Sequence, residues 1–551
     1  PPDDHRHAPR RGRRMSRALL HEGPSWEELR AGFRWRVPAW FNIAEACCDS
    51  HARAEPGRLA LIDLAASGKV RHWSYGELKS ASDRLANAFR ARGLGQGDTV
   101  AVLLAQGPAV LIAHFAAMKL GAVVLPLFTL FGPDALAYRL ADAKARIVVT
   151  DGASLEKLDA IRGNVPDLGE VYCIDPAAPP VRDFWAEIAA ASDVLEPTVT
   201  AAEDPAVLIY TSGTTGAPKG VLHAHRFLLG HLPNVELSQG FFPRPGAVGW
   251  TPADWAWIGG LMDMAMPCLY YGVPLIARRM RKFDPDEAFR LIREMRATNL
   301  FLPPTALKLM RGARVPEGLA VRAVSSGGES LGAEMLDWGR RALGAPINEI
   351  YGQTECNLVV CSADGLFPTK PGTMGRPVPG AEVAVIDGGG APVPEGEVGE
   401  IAVRRGHPVM FLEYLGKPEA TAAKFVGGWL KTGDLGTMDG EGYVTYVARD
   451  DDIISSAGYR IGPSEIENCL TGHPDVVMAA CVGVPDPVRG EVVKAFVTLR
   501  EGADWEGLEA ALIERVKARI SPHVVPRWVE RRDALPMTAT GKILRRELRG
   551  G

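Results

Sequence analysis

The chain has 551 residues, 46% of them hydrophobic and 23% charged, an ordinary globular balance with length enough for several cores. A formal net charge of −4 excludes a general polyanion binder, so no nucleic-acid partner is expected. No apolar run reaches the roughly 18 residues of a membrane helix, so no integral membrane association is expected either.

The opening PPDDHRHAPRRGRRMSR is Arg-rich. Asp3 and Asp4 argue against a transit peptide, so Met15 reads as a start and residues 1–14 as a disordered tail. A helix is predicted over 75–93 and a strand over 98–105. The apolar stretch 109–128, broken by His114 and Lys119, reads as a buried helix running into a strand. Further strands are predicted over 146–151, 171–175, 205–210, 274–279 and 321–326, with a helix over 284–299. Such alternation implies mostly parallel sheets with helices on their faces.

From about 380 to 447 the pattern changes to short strands and Gly turns (EVAVID, GEIAVRR, GYVTYVA), which predicts a small β subdomain. The charged run RDDD (449–452) then marks a boundary. Beyond it PSEIENCL and WEGLEAALIERVKARI read as helices, VVMAACVGV and EVVKAFVTLR as strands. The fold class is α/β. Residues 1–34 form a tail and extension, 35–448 a large N-terminal domain, 449–452 a hinge and 453–551 a small C-terminal α/β domain. The eight cysteines are scattered and form no CxxC pair, a reduced pattern that predicts a cytoplasmic location.

Five short motifs carry candidate chemistry. YTSGTTGAPKG (210–220) holds three glycines, four Ser or Thr hydroxyls and one lysine. Glycines let backbone N–H groups approach an anion, and a strand, Gly-rich loop and helix in succession would cradle phosphate. It is not a Walker A loop, since GxxxxGK[ST] is absent. INEIYGQTECN (347–357) places Thr354 and Glu355 at a strand end, where a carboxylate can hold Mg²⁺. GGWLKTGDLG (427–436) sets Asp434 in a glycine turn, suited either to ribose hydroxyls or to an Asx turn. RDDDIISSAGYRIGPSEIE (449–467) offers Arg449, Gly458 and Arg460, with Ser464 as a candidate helix cap. PMTATGKILRREL (536–548) presents Lys542 after a Thr-Gly turn.

Taken together and in this order, the motifs resemble those of the adenylate-forming superfamily over roughly residues 35–550. KGVLHAHR (219–226), ADWAW (253–257), SSGGES (325–330) and AGYRIGPSEIE (457–467) carry a closer match to its acetyl-CoA and medium-chain acyl-CoA synthetase branch. The resemblance implies ATP, Mg²⁺ and coenzyme A as cofactors and co-substrates. A carboxylate would attack the α-phosphate of ATP, and CoA would then take the acyl group from the adenylate. Thr211, Ser212, Gly213, Thr214, Thr215 and Lys219 would hold the β- and γ-phosphates. Gly328 and Glu329 would border adenine, Tyr351 would stack on it, and Thr354 would bind the α-phosphate. Glu355 would hold the metal, Asp434 and Arg449 the ribose, and Arg460 would add to the nucleotide site. Lys542 would be the adenylation lysine, with catalysis resting on position and charge. The C-terminal domain would be mobile, swinging about Asp451 to bring Gly458 to the CoA tunnel.

For the acyl pocket, acetate-specific relatives carry Trp where this chain has Gly352, so an acid larger than acetate is expected. It would be short branched, medium-chain, or small cyclic or aromatic. Trp257, Ile258 and Gly259 would line the cavity, with Trp257 either its floor or part of the core. His223 and His225 read as packing or capping residues, and Cys356 as pocket wall. Other readings are an adenylation enzyme loading a carboxylic or amino acid onto a carrier protein, a luciferase-like oxygenase, and a non-catalytic nucleotide binder. The resemblance also implies a lysine acetyltransferase acting on Lys542, which would remove the charge that adenylation needs.

Overall fold

The computed structural model describes residues 17–20, 23, 25–211, 217–449, 452–456, 459–487, 489–538 and 542–549, and at 459 and 460 the backbone alone. The fold is α/β, with a large N-terminal region of mostly parallel sheets and a smaller C-terminal α/β unit.

Local rules place the first elements. The helix Tyr75–Ala91 opens on a capping box: Ser74 Oγ accepts from Glu77 N, and the Glu77 carboxylate accepts from Ser74 N. Leu78, Leu85, Ala86 and Phe89 recur at helical spacing and are buried. The stretch 109–128 becomes the helix Pro108–Lys119, buried on all sides, followed by the strand Val123–Pro126. Its charge is neutralised inside the core, because Lys119 Nζ lies 2.6 Å from Asp83 and 2.8 Å from Asp49.

Two large sheets organise the N-terminal region. One runs through Lys219–Ala224, Pro205–Thr211, Val123–Pro126, Thr99–Leu103 and Ala145–Thr150. The other contains Cys356–Cys361, Ile347–Gln353, Ala323–Gly327, Asn299–Phe301 and Leu275–Ala277. Strand alternation sorts their side chains: Val100 and Val102 join the large central core, whereas Ala101 and Leu103 join an outer one. Leu61 and Ile62 divide in the same way across the second sheet. The helices Pro108–Lys119 and Phe227–Ser238 contribute to that shared central core.

A third sheet pairs Val383–Ile386, Gly399–Arg404, Trp429–Met438 and Val444–Arg449 antiparallel. The C-terminal unit has its own sheet, including Val476–Asp486, Gly490–Leu499 and Trp528–Arg531. The helices Pro463–Thr471 and Leu508–Arg519 supply its core on one side. The N-cap of the first is Gly462, without a side-chain cap, so Ser464 sits inside the first turn rather than at the cap. Proline at the first helical position makes that entry self-sufficient. The C-terminal unit meets the N-terminal region where Arg515 and Arg519 donate to Glu334 at 3.2 and 3.0 Å. Among the described residues no helix is long and apolar enough to cross a membrane.

Candidate active site

The Gly-rich loop closes a hairpin. Thr211 pairs directly with Lys219, and Pro205–Thr211 runs antiparallel to Lys219–Ala224. The expected helix directly after the loop is therefore corrected: a strand follows, and the helix starts only at Phe227. The apolar run GVLHA explains this, since it is buried and pairs with PAVLIYT before the chain turns. No helix N-terminus directly follows the loop. Ser212, Gly213, Thr214 and Thr215 lie outside the described residues, as do Asp451 and Gly458. The side chain of Arg460 is likewise outside the description, while its backbone pairs with Ser455.

Thr354 and Glu355 form the tip of a second hairpin, between Gln353 and its partner Cys356. Glu355 Oε1 accepts from the Tyr414 hydroxyl at 2.5 Å. Lys219 Nζ lies 5.1 Å from the centre of the Tyr414 ring, which brings the strand after the Gly-rich loop beside Glu355. Tyr351 is buried and donates its hydroxyl to Asp434 Oδ2 at 2.7 Å. Gln353 Nε2 donates to the same oxygen at 2.6 Å. Arg449 Nη1 stands 3.5 Å from Asp434 Oδ1 across the paired strands. Burial raises the Asp434 pKa, and the Arg449 charge opposes that rise first.

Lys542 comes to this same place from the C-terminal unit. Its backbone closes a turn with Thr538, giving bonds of 2.7 and 3.0 Å. A Cβ added to Gly328 would lie 3.8 Å from both Lys542 Cε and the Trp257 ring. Gly328 itself holds φ at +106°, which favours glycine. Lys542 is exposed to the cleft, yet protein surrounds it closely enough for desolvation to lower its pKa. Asp434 opposes that shift, Arg449 adds to it, and Glu329 and Glu355 oppose it. Glu329 accepts from Lys308 Nζ at 3.2 Å.

Trp257 packs between the positions of Gly259 and Gly328, tilted against Phe301 at 5.6 Å. Ile258 is buried beside it. Gly352 requires a correction. A Cβ there would meet Leu358 N at 2.2 Å, so the missing side chain lets two strands approach at a register shift and opens no cavity by itself. His225 Nδ1 accepts from Ile43 N, and His223 stacks on Phe227 at 3.9 Å. Among the described residues no group of three or more His, Cys, Asp or Glu could hold a metal. Cys356 is fully buried, with its thiol pushed up to about 12 by burial.

The motifs did not reveal Gln353 or Tyr414 as site residues. The first lay within YGQTE and carried a usable signal, a donor two residues from Tyr351 on the same strand face.

The strands flanking the Gly-rich loop, a second hairpin tip, a buried carboxylate beside an arginine and a lysine from the C-terminal unit are thus gathered in one region. The family profile described as AMP-binding enzyme matches residues 48–415, and that described as AMP-binding enzyme C-terminal domain matches 465–542; the chain belongs to this family. It is similar to the mitochondrial acyl-coenzyme A synthetase ACSM3 of Mus musculus, with 32% identity over 95% of this chain and 93% of that one. It is similar to the acetyl-coenzyme A synthetase of Bacillus subtilis, with 31% identity over 95% of this chain and 93% of that one. The crystal structure of the anthranilate CoA ligase AuaEII with anthranoyl-AMP superposes with a TM-score of 0.85, at 27% identity over 93% of this chain and 98% of that one. The chain is an AMP-forming acid–thiol ligase of the acyl-CoA synthetase branch, using ATP and CoA.

Proposed function

We propose that the enzyme activates a carboxylic acid larger than acetate, through an acyl-adenylate, and passes the acyl group to CoA. One observation carries the size argument. Beyond the Thr354–Glu355 tip, the buried polar residues Asn357 and Asp263 each keep 5% of their surface accessible. That residual accessibility is the support for a void behind the tip that takes more than a two-carbon acid. Short branched, medium-chain and small cyclic or aromatic acids all suit such a void, and the anthranilate ligase among the similar structures supports the aromatic option.

In this reading Lys542 supplies a point charge between the acid's carboxylate and the α-phosphate. Thr354 donates its hydroxyl to the same phosphate. Asp434, held by Tyr351 and Gln353, accepts from the ribose hydroxyls, and Arg449 donates to them. Thr211, Ser212, Gly213, Thr214, Thr215 and Lys219 enclose the outer phosphates. Gly328 and Glu329 border the adenine, and Arg460 adds charge near the nucleotide. Mg²⁺ fits Glu355: one carboxylate oxygen is engaged by Tyr414, and the other has no protein partner among the described residues. When bound, the ion neutralises phosphate charge. Asp451 acts as the hinge that later exchanges Lys542 for Gly458. Residues 35–448 and 453–551 are the two bodies it joins, and the enzyme works in the cytoplasm.

The test is AMP release from ATP, Mg²⁺ and CoA across acetate to octanoate, isobutyrate, benzoate and cyclohexanecarboxylate. A maximum beyond acetate is expected. A maximum at acetate would show that Trp257 or a neighbour closes the void.

A further inference from the structure

Helical residues 258–271 cross the central core, and Leu261–Ala265 form a π turn within them. Such turns recur at functional sites because they re-aim a side chain. Here the turn carries Asp263, a carboxylate among residues that are 0–1% exposed: Leu261, Met262, Met264 and Ala265. A carboxylate in such surroundings needs partners.

Asp263 Oδ1 accepts from Asn357 Nδ2 at 2.6 Å. The other hydrogen of that amide points to His231 Nε2 at 3.1 Å. His231 Nδ1 donates to the Phe227 carbonyl at 2.7 Å, so Nε2 is the acceptor. Burial lowers the His231 pKa to about 4, which keeps the ring neutral. Both donors of Asn357 are thus spent, and the orientation of its amide is set by the chain.

Two side-chain oxygens remain. Asp263 Oδ2 and Asn357 Oδ1 have no donor among the described residues, and neither belongs to the side-chain atoms sealed from solvent. Each faces accessible space although its residue lies inside the core. Asn357 itself lies on the strand packed directly against Gly352, one residue beyond the Gln353–Cys356 pair that flanks the Thr354–Glu355 tip. Burial also holds the Asp263 pKa well above the usual carboxylate range, against the Asn357 bond, so a proton held by Asp263 sits on Oδ2 beside the Asn357 Oδ1 acceptor.

Given the acyl-CoA synthetase reading above, we propose that Asp263 and Asn357, oriented by His231, form a polar end to the acyl cavity that selects a carboxylic acid bearing a hydrogen-bond donor, a hydroxyl or an amino group, on its tail. An apolar tail would leave the Asn357 acceptor and the free Asp263 carboxyl oxygen unpaired. A site built for a donor discriminates strongly against the analogue lacking it.

Matched pairs of acids test this by kcat/KM for AMP release: 6-hydroxyhexanoate against heptanoate, and 4-hydroxybenzoate and 4-aminobenzoate against 4-methylbenzoate. The native enzyme should favour a donor-bearing acid by about tenfold or more in at least one pair. Asp263→Leu should invert that preference, and the isosteric Asp263→Asn, which keeps a donor where protonated Asp263 holds one, should preserve it. A methyl preference in every pair, or a ratio unmoved by Asp263→Leu, would overturn the inference while leaving the synthetase intact. Absence of AMP with every acid, the simple alkanoates included, would overturn the synthetase reading and this inference with it.

Discussion

The hydroxyl of Tyr351 donates to Asp434 Oδ2 at 2.7 Å, joining the strand that ends at the Thr354–Glu355 tip to the third sheet. One bond thus positions the carboxylate assigned to ribose and fixes the tilt of the ring assigned to adenine. Tyr351→Phe keeps the ring and removes the bond. The KM for ATP should rise about tenfold, with stability lower by about 1–3 kcal/mol, since a hydrogen bond to a charged group is lost. An ATP titration and a denaturant melt would measure both. An unchanged KM would place Asp434 out of the nucleotide's reach.

Lys542 should matter to one half-reaction only. Lys542→Ala should cut adenylation, read as ATP–pyrophosphate exchange, by about 10²–10³-fold, the scale of one lost electrostatic stabiliser. Thioester formation from supplied acyl-adenylate should persist. Treatment with a lysine acetyltransferase should give the same asymmetry. Equal loss of both half-reactions would show that the lysine acts on the fold instead.

The brace between Glu334 and Arg515 and Arg519 is largely solvent-facing, so Glu334→Ala should change global stability by less than about 1 kcal/mol. Its effect should appear in orientation. Fluorescence energy transfer between labels on the two units should broaden, and adenylation should slow more than thioesterification. A distribution identical to the native one would show that the brace carries no orientational preference.

Glu349 is buried and accepts from Leu331 N at 2.9 Å, with burial raising its pKa to about 8. The folded state therefore holds this proton between the unfolded value near 4.5 and about 8, where the unfolded chain releases it. Stability from this group is fully present below the lower value and is lost as pH rises to the upper one. The slope is at most about 1.4 kcal/mol per pH unit. Glu349→Gln should flatten that part of the profile in melts from pH 5 to 8. A native profile that is already flat would mean the carboxyl is ionised throughout.

Gly352→Ala should lose at least about 2 kcal/mol, because its Cβ would meet Leu358 N at 2.2 Å and only backbone movement could relieve the contact. A neutral result in equilibrium unfolding would show that the hairpin spreads freely.

Much of this was legible in the sequence where the signal was local. The helix predicted over 75–93 is found at Tyr75–Ala91, because its cap and apolar spacing lie within one stretch. The apolar run 109–128 separated into helix and strand because Leu120 and Gly121 turn the chain between them. Contacts between distant segments were not legible. Tyr414 meets Glu355 across 59 residues of chain, and Gln353 meets Asp434 across 81. Gly352 misled for a related reason: its role is set by Asn357 and Leu358 on the paired strand, which no spacing rule exposes. Asp263 passed unnoticed inside the apolar stretch GGLMDMAM, because only the fold brings Asn357 to it.

Arg449 is the last residue of the strand paired with Asp434, and Asp452, three positions on, is already held by Arg545 and Arg549 of the closing helix. On the proposed reading, a ligand seated on Asp434 and Arg449 would bind only three positions of chain from the anchor of the unit that carries Lys542. Nucleotide occupancy would then reach the C-terminal unit along that short covalent link.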